Sequence, residues 1–175
     1  MNEGDTVTES QTADTKTGEE RVDERATMAE RLRRLEDLEE IRQLFIDYGH
    51  HLDSGNFAAY GGLFADEGEV LLGPVGRAKG PAAIEALMSK TMEGAGGSSF
   101  HIVTNPIIEL DGDRATTEVM WTVVARDAKD DATVTMLGRH RDTLIRERGR
   151  WRILRRQGFI DVPSRYRTAE DPAGT

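Results

Sequence analysis

Asp53 and His101 are the two residues whose types and positions best suit general acid–base chemistry. Asp53 ends a segment of helical apolar spacing, where the negative end of the helix dipole disfavours a carboxylate by roughly 0.3 to 1 kcal/mol, so a partner is expected. His101 lies in the strand-like segment SSFHIVTNPIIEL, whose alternation buries the imidazole at least partly. Alone, Asp53 is typical of a turn and His101 of a structural histidine. Together they predict an imidazole base whose tautomer a carboxylate fixes.

Three further side chains are candidates for the same site. Tyr48 lies on the apolar stripe of the helix; its hydroxyl would assist a leaving group if it faces a cavity, and its ring would be packing if it faces the core. His140 is a candidate for lining a cavity from a later strand. Near the C-terminus, alternation places Arg155 on the inner face with Trp151 and Arg156 on the outer face.

The elements that must position these residues follow an α+β order. Apolar spacings of three and four predict a helix over residues 29–52. A second helix is predicted over 57–65, with Asn56 as its N-cap, and a third over 82–92, beginning at Gly80-Pro81. A short strand is predicted over 69–72. Four long strands follow: Ser99–Leu110, Arg114–Arg126, Thr133–Arg146 and Trp151–Ile160. Such strands form a twisted antiparallel sheet, which helices on one face would close into a conical pocket.

Composition limits the organisation and the partners. Residues 1–30 hold nine acidic and three basic residues, hence −6 of the formal charge of −9, and are predicted to be a disordered acidic tail. One domain is expected over 31–162 and a flexible tail over 163–175. The nearly balanced domain lacks a long basic stripe, which disfavours nucleic acid as a partner. Without a run of about 18 apolar residues or a signal peptide, we expect no membrane association and a cytoplasmic location.

Several classes of chemistry lack their motifs. The chain has no cysteine, which excludes thiol nucleophiles and zinc–thiolate sites. The four histidines show neither i, i+4 helical spacing nor an H-x-H pair, so no metal site is expected. Phosphate loops, nucleophile elbows and dinucleotide fingerprints are missing as well. We therefore expect an acid–base site without a cofactor.

Five segments together resemble the SnoaL-like branch of the nuclear transport factor 2-like superfamily, over residues 35–160. They are YGHHLDSGN, LFADEGEV, GRAKGPAAI, FHIVTNPIIELDGDRA and GRHRDTLIRERGRWRI. Within that branch the motifs are most similar to bile acid 7-alpha-dehydratase, scytalone dehydratase and hexachlorocyclohexane dehydrochlorinase. The resemblance implies a cone of three N-terminal helices packed on a strongly curved antiparallel sheet, and elimination of water or halide by an Asp-His dyad.

Carried over residue by residue, the resemblance assigns the dyad to Asp53 and His101. It also implies catalytic roles for Tyr48, five residues before the aspartate, and Arg156, five residues after the strand tryptophan. The choice of Arg156 conflicts with simple alternation, and a β-bulge would reconcile the two. The expected substrate-binding residues are His140, Asn105, Phe64, Val70 and Trp121.

The resulting hypothesis is a lyase of the dehydratase type that acts on a small hydrophobic cyclic substrate. Proton abstraction without a leaving group would make the same residues an isomerase. A different class, a non-catalytic ligand-binding or assembly module akin to the small subunit of ring-hydroxylating oxygenases, would need no Asp-His contact. A distance of about 2.6 to 3.2 Å between the two side chains would favour the enzyme. By analogy with the eliminating relatives we expect a homo-oligomer, a trimer or a dimer.

Overall fold

The computed structural model describes residues 27–93 and 99–163. The chain divides into two compact units, residues 1–36 and residues 37–175. The site and the sheet lie in the second unit. Most of the predicted acidic tail, the predicted C-terminal tail beyond residue 163 and the segment 94–98 lie outside the described residues.

The helices among the described residues are α1 (Met28–Asp53), α2 (Phe57–Gly61) and α3 (Pro81–Thr91), with a 3-10 turn at Gly73–Val75. Helix α1 begins inside the segment 1–30 that was predicted to be disordered. Its start is a reciprocal cap, in which the Thr27 hydroxyl accepts from the Glu30 N–H at 3.3 Å and the Glu30 carboxylate accepts from the Thr27 N–H at 2.6 Å. None of the helices described is long and apolar enough to cross a membrane.

The described sheet has six strands, in the order β2-β1-β6-β5-β4-β3. They are β1 (Phe64–Leu71), β2 (Arg77–Lys79), β3 (Ser99–Asp111), β4 (Arg114–Arg126), β5 (Ala132–Glu147) and β6 (Arg150–Val162). The sheet is mixed, since β1 pairs with β6 in parallel while every other pairing is antiparallel. Strands β3 to β6 are consecutive in sequence and joined by short turns, so they must be antiparallel. Strands β1 and β6 are far apart in sequence, and this separation allows them to pair in parallel.

The second helix is shorter than predicted, and the first strand starts earlier. Helix α2 ends at Gly61, and the Gly62 N–H closes it by donating to the Ala58 carbonyl. Two consecutive glycines are poor helix formers, so the chain leaves the helix there and Phe64 begins β1 instead of continuing α2. The prediction of a helix over 57–65 was wrong in its second half for this reason.

The core lies between α1 and the inner face of the sheet. Buried side chains from α1 are Ile41, Leu44, Phe45, Tyr48 and Leu52. They pack with sheet residues that include Val119, Leu144 and Ile153. At the start of this packed stretch, the Asp37 carboxylate accepts from Trp151 Nε1 at 3.2 Å and pairs with Arg146, which fixes the helix to β5 and β6.

Two irregularities change which side chains face inward. In β3 the pairing with β4 shifts between Thr104 and Ile107, and Asn105 has a φ of 53°. Alternation therefore reverses after Val103. Strict alternation along β3 would place Ile107 on the same face as His101, but Ile107 is 63% exposed. In β6 the pairing with β5 shifts between Thr143 and Leu144, which skips Leu154 and turns Arg156 inward.

Candidate functional site

The carboxylate of Asp53 contacts the imidazole of His101. Their closest atoms, Asp53 Oδ1 and His101 Nδ1, lie 2.7 Å apart. Both carboxylate oxygens also accept from the backbone N–H of His101, at 3.0 and 3.1 Å. The side chains are 22% and 9% exposed, respectively, so solvent competes little for these bonds. The two residues predicted as a pair are thus brought together at the junction of α1 and β3.

Gly49 makes this close approach of helix and strand possible. A Cβ at this position would stand 3.2 Å from the backbone oxygen of His101, tighter than an ordinary carbon–oxygen contact. Because Gly49 lies one turn before Asp53, it sets the distance that the carboxylate must reach. The glycine in the YGHHLD segment is therefore part of how the pair is positioned.

The hydrogen-bond pattern assigns the tautomer of His101. A carboxylate can only accept, so the ring proton belongs on Nδ1, facing Asp53. The lone pair is then on Nε2, at the far side of the ring, which is the arrangement that a general base needs.

His101 borders an apolar cavity of about 120 Å³ between the helices and the sheet. Its aromatic and polar lining comes from Tyr48, Trp121 and His140 as well as His101. The aliphatic lining is contributed mainly by Leu52, Leu72, Val123, Met136, Met88 and Ile160. On its other side the pair borders a groove of about 400 Å³ that includes Ile46, His50 and Pro106. The Asp53–His101 pair therefore lies between an apolar pocket and a second, larger groove.

The ring of Tyr48 lies in the pocket wall between two histidines. Its centroid is 6.1 Å from that of His101 and 5.3 Å from that of His140, both edge-on. Burial raises the pKa of the Tyr48 phenol above its usual range, and the neighbouring Tyr60 adds to the rise. The phenol therefore stays protonated and can donate a proton or a hydrogen bond.

Arg156 lies beneath this wall, inside the protein. Its fully buried guanidinium donates to both carboxylate oxygens of the equally buried Asp142, with Nη2 to Oδ2 at 2.6 Å and Nε to Oδ1 at 3.0 Å. The guanidinium carbon stands 4.6 Å from the centre of the Tyr48 ring. Arg155 instead is half exposed and faces Glu69 at 3.4 Å. The inward arginine is the one that the resemblance implied, but it supports Tyr48 from behind and is not among the residues lining the cavity.

His140 and Trp121, both predicted to bind substrate, line the cavity from β5 and β4. Burial lowers the pKa of His140 well below its usual range, and the positive charge of Arg156 acts in the same direction. This imidazole is therefore neutral near pH 7. Neither His140 Nδ1 nor Trp121 Nε1 has a hydrogen-bond partner among the described residues.

The structure places the other three predicted substrate-binding residues elsewhere. Phe64 and Val70 are buried in the core at 2% and 0% exposure, and neither is among the cavity-lining residues. Phe64 packs on Tyr60 at 5.5 Å between ring centroids, because β1 starts at this residue and turns it inward. Asn105 is exposed at the bulge, where its amide lies 3.8 Å from Met120 Sδ. The left-handed backbone of this residue, which asparagine tolerates well, turns it away from the face of His101.

Some lining residues were not predicted. Met88 comes from α3 and Gly158 from β6. The apolar stripe of α3 was a usable signal for Met88, because a helix covering the sheet must bury one side. Gly158 could be noticed as a glycine inside a strand, which often marks a close approach.

A family model described as a SnoaL-like domain matches residues 33–157. The chain therefore belongs to the SnoaL-like family, in agreement with the fold and the site geometry described above. An NTF2-like protein with a cystatin-like fold from Novosphingobium aromaticivorans is 30% identical, with a TM-score of 0.69 over 79% of this chain and 92% of that chain. The predicted α+β SnoaL-like fold is thereby confirmed.

Two other solved structures are similar over most of their length. One is a protein assigned as a scytalone dehydratase, also from Novosphingobium aromaticivorans, 25% identical with a TM-score of 0.61 over 74% of this chain and 87% of that chain. The other is Aln2 from a Streptomyces species, 27% identical with a TM-score of 0.64 over 73% of this chain and 94% of that chain. No curated protein sequence matches the chain.

Proposed function

We propose that the protein is a cofactor-independent lyase that eliminates water from a small hydrophobic cyclic substrate, with the Asp53–His101 pair as general base. The observation that carries this proposal is the 2.7 Å contact between Asp53 Oδ1 and His101 Nδ1 beside an apolar cavity. The similarity to a protein assigned as a scytalone dehydratase supports it. A non-catalytic assembly role would not require this contact, which therefore favours the enzyme.

In the proposed reaction, His101 Nε2 removes a proton from the carbon next to the group that will accept the negative charge. Asp53 stabilises the imidazolium that forms and keeps the ring in place. The leaving hydroxyl departs with the electron pair of its carbon–oxygen bond and takes a proton from the Tyr48 phenol. The proton on His101 then restores the phenol, so that one water molecule is the only by-product.

An isomerase would use the same first step and return the proton to another carbon. The two reactions differ in their product, because only elimination releases water. Mass spectrometry of the product separates them: loss of the mass of water supports the lyase, and an unchanged mass supports the isomerase.

The test is turnover of cyclic β-hydroxy ketones, followed by the ultraviolet absorbance of the conjugated product. We expect His101→Ala to lower kcat at least about a hundredfold, which is the lower range for loss of a general base. His50→Ala is the matched control, because His50 is an exposed histidine that belongs to the outer groove, on the helix that carries Asp53.

Far-UV circular dichroism and the urea midpoint report whether each variant is folded. A folded His101→Ala protein with full turnover on a substrate of the wild type would contradict the proposal, as would an equal loss in His50→Ala.

A further inference from the structure

The wall of the cavity formed by β4, β5 and β6 carries polar groups that the proposed base does not use. His140 and Trp121 each bury a ring nitrogen without a partner among the described residues. A buried polar group usually has a hydrogen bond, so an unpaired one beside a cavity calls for an explanation. For His140, the missing partner at Nδ1 in the described parts of the chain determines which ring nitrogen carries the proton, and so which edge of the ring can donate to a ligand.

The surroundings of His140 indicate which ring nitrogen faces that ligand. Nδ1 is buried with no partner in the described part of the chain, so a proton there would be an unpaired buried donor. The opposite edge faces Gly158, since a Cβ at Gly158 would stand 3.4 Å from His140 Cδ2 and 3.6 Å from His140 Nε2. Gly158 itself lines the cavity. The proton therefore belongs on Nε2, where it can be donated to a ligand oxygen.

The charge of the site selects the kind of oxygen. A neutral imidazole donates one hydrogen bond without bringing a full positive charge, which suits a carbonyl oxygen that becomes negative only during the reaction. Burial and the positive charge of Arg156 keep the imidazole of His140 neutral. Asp142 is engaged by Arg156 and does not accept from His140.

The size of the cavity limits the ligand. Its volume is about 120 Å³. An apolar protein cavity of about 150 Å³ holds benzene, so this smaller, partly open cavity encloses at most a single six-membered ring. The lining supports an apolar ring, since Val123, Met136 and Ile160 surround the space.

We propose that the substrate is a monocyclic ketone whose oxygen accepts a hydrogen bond from His140 Nε2 while its α-hydrogen faces His101. The Tyr48 ring, which touches both histidines edge-on, spaces the donor and the base along one wall. This inference rests on the proposed function and names the substrate class of the same site.

The electron flow balances without another reactant. The α-carbon–hydrogen pair becomes a carbon–carbon double bond as His101 takes the proton, and the carbonyl π pair moves to the oxygen held by His140. The carbonyl then re-forms, the enolate carbon–carbon pair becomes the α,β double bond, and the β-hydroxyl leaves with its bonding pair. It takes a proton from the Tyr48 phenol to become water, and the proton on His101 restores the phenol. His140 keeps its proton throughout and acts as a hydrogen-bond donor.

The test compares two probes of the same shape, cyclohexanone and methylenecyclohexane, which replaces the carbonyl oxygen by a CH₂ group. Their Kd values are measured by isothermal titration calorimetry. We expect His140→Phe to weaken cyclohexanone binding about tenfold relative to methylenecyclohexane, the usual effect of losing one buried hydrogen bond. His140→Gln, whose amide reaches the Nε2 position, should keep most of the preference.

Four results would overturn the inference. These are an unchanged ratio of Kd values in His140→Phe, equal losses in the Phe and Gln variants, tight binding of the bicyclic ketone 1-decalone, and no binding of either probe to the parent protein. Methylenecyclohexane also serves as the folding control, since it requires the cavity but not the donor.

A second readout separates this inference from the proposed function. In deuterium oxide, the wild type should exchange the α-hydrogens of cyclohexanone, and His101→Ala should not. Exchange that depends on His101 together with an unaffected Kd ratio rejects the role of His140 and leaves the general base in place. The expected Kd ratio without exchange supports His140 as the ketone donor and rejects the base.

Discussion

At the scale of single residues, the Arg156–Asp142 pair is the most constrained feature of the core. Both side chains are 0% exposed, and Arg156 packs against the face of Tyr48. Burial by itself would lower the pKa of Arg156, but the charge of Asp142 and its hydrogen bonds more than offset this, so the guanidinium stays charged. The position of Tyr48 in the pocket wall therefore depends on an ion pair behind it.

Replacing Arg156 by Met should lower the free energy of unfolding by about 3 to 5 kcal/mol, because Asp142 is left as an unpaired buried charge. Arg155→Met is the matched control one residue away; its side chain is half exposed, and we expect a change within about 0.5 kcal/mol. Urea unfolding at pH 7 measures both.

The double variant Arg156→Met with Asp142→Leu tests the reason for that loss. Removing both charges should recover most of the stability, since an apolar pair of similar volume carries no desolvation cost. A double variant as unstable as Arg156→Met would mean that shape, not charge, is what the core requires.

His140 predicts a loss of stability in acid. Its folded-state pKa is lowered from the usual 6.5, by burial first and then by Arg156 and His101. As the pH falls below about 6.5, the unfolded chain takes up a proton that the folded state refuses, so the free energy of unfolding decreases. Above that pH, both states hold a neutral imidazole and the residue adds no pH dependence.

The comparison is wild type against His140→Phe, unfolded in urea from pH 7.5 to 5. The wild type should lose more stability than the variant over this range. Parallel curves would mean that His140 is not the group responsible.

At the scale of elements, the bounds of the four long strands were predicted well, but which of their side chains face inward was not. The short strand β1 was predicted to start five residues too late, and β2 was not predicted. The bounds predicted for β4 are those observed, and β3 differs by one residue, because β-branched and aromatic segments between short turns mark strands clearly. Alternation fails at the two bulges: it predicted Arg155 on the inner face, and strict alternation from His101 would also place Asn105 there. A bulge sets two residues of one strand opposite one residue of its partner. The apolar periodicity within a single strand does not show where this happens.

The Asp53–His101 contact was predictable because each partner could be placed from its own segment. Asp53 lies at the end of a predicted helix, and His101 lies within a predicted strand. Phe64 and Val70 were assigned to the pocket wrongly because their burial is a property of the packed sheet. The sequence indicates that they are apolar, but not whether the space beside them is empty or filled.

Gly138 is an element-scale constraint on the pocket wall. A Cβ there would overlap the Phe159 backbone oxygen in β6 and the Trp121 indole ring in β4, both far inside van der Waals contact. We expect Gly138→Ala to cost at least about 1 to 3 kcal/mol, typical of overpacking, and to move Trp121. Urea unfolding and near-UV circular dichroism measure these effects.

The control is Gly112→Ala, in the turn between β3 and β4. Its Cβ would meet nothing within 4 Å, and only the backbone φ of 57° opposes the change. It should cost roughly 1 to 2 kcal/mol and leave the near-UV spectrum of Trp121 unchanged. An altered spectrum in both variants, or in neither, would contradict the role assigned to Gly138.

At the scale of the whole molecule, the outer face of β3, β4 and β5 carries an apolar patch. Phe100, Val124 and Val134 are cross-strand neighbours, and Ile102 and Leu137 flank Thr122 in the next row. Phe100 is 59% exposed, Val134 58% and Ile102 48%. Contiguous exposed apolar side chains in register are typical of a surface that another chain covers.

We expect this patch to mediate the homo-oligomer that the resemblance implies. Ile102→Glu should shift the protein toward the monomer in sedimentation velocity experiments, because the carboxylate would have to be buried on association. Thr116→Glu, an exposed residue of the same sheet face away from the patch, is the control. A monomeric wild type at high concentration would contradict the expectation.

The carboxylate of Asp53 serves the backbone as well as the imidazole, since it accepts from the main-chain N–H of His101. The same group that would tune the base thus fastens the end of α1 to β3. Variants of Asp53 will for this reason mix two effects, a looser helix end and a weaker base, that kinetics alone would confuse. Changes to the imidazole leave the fastening intact, so His101 is the cleaner position at which to dissect the chemistry.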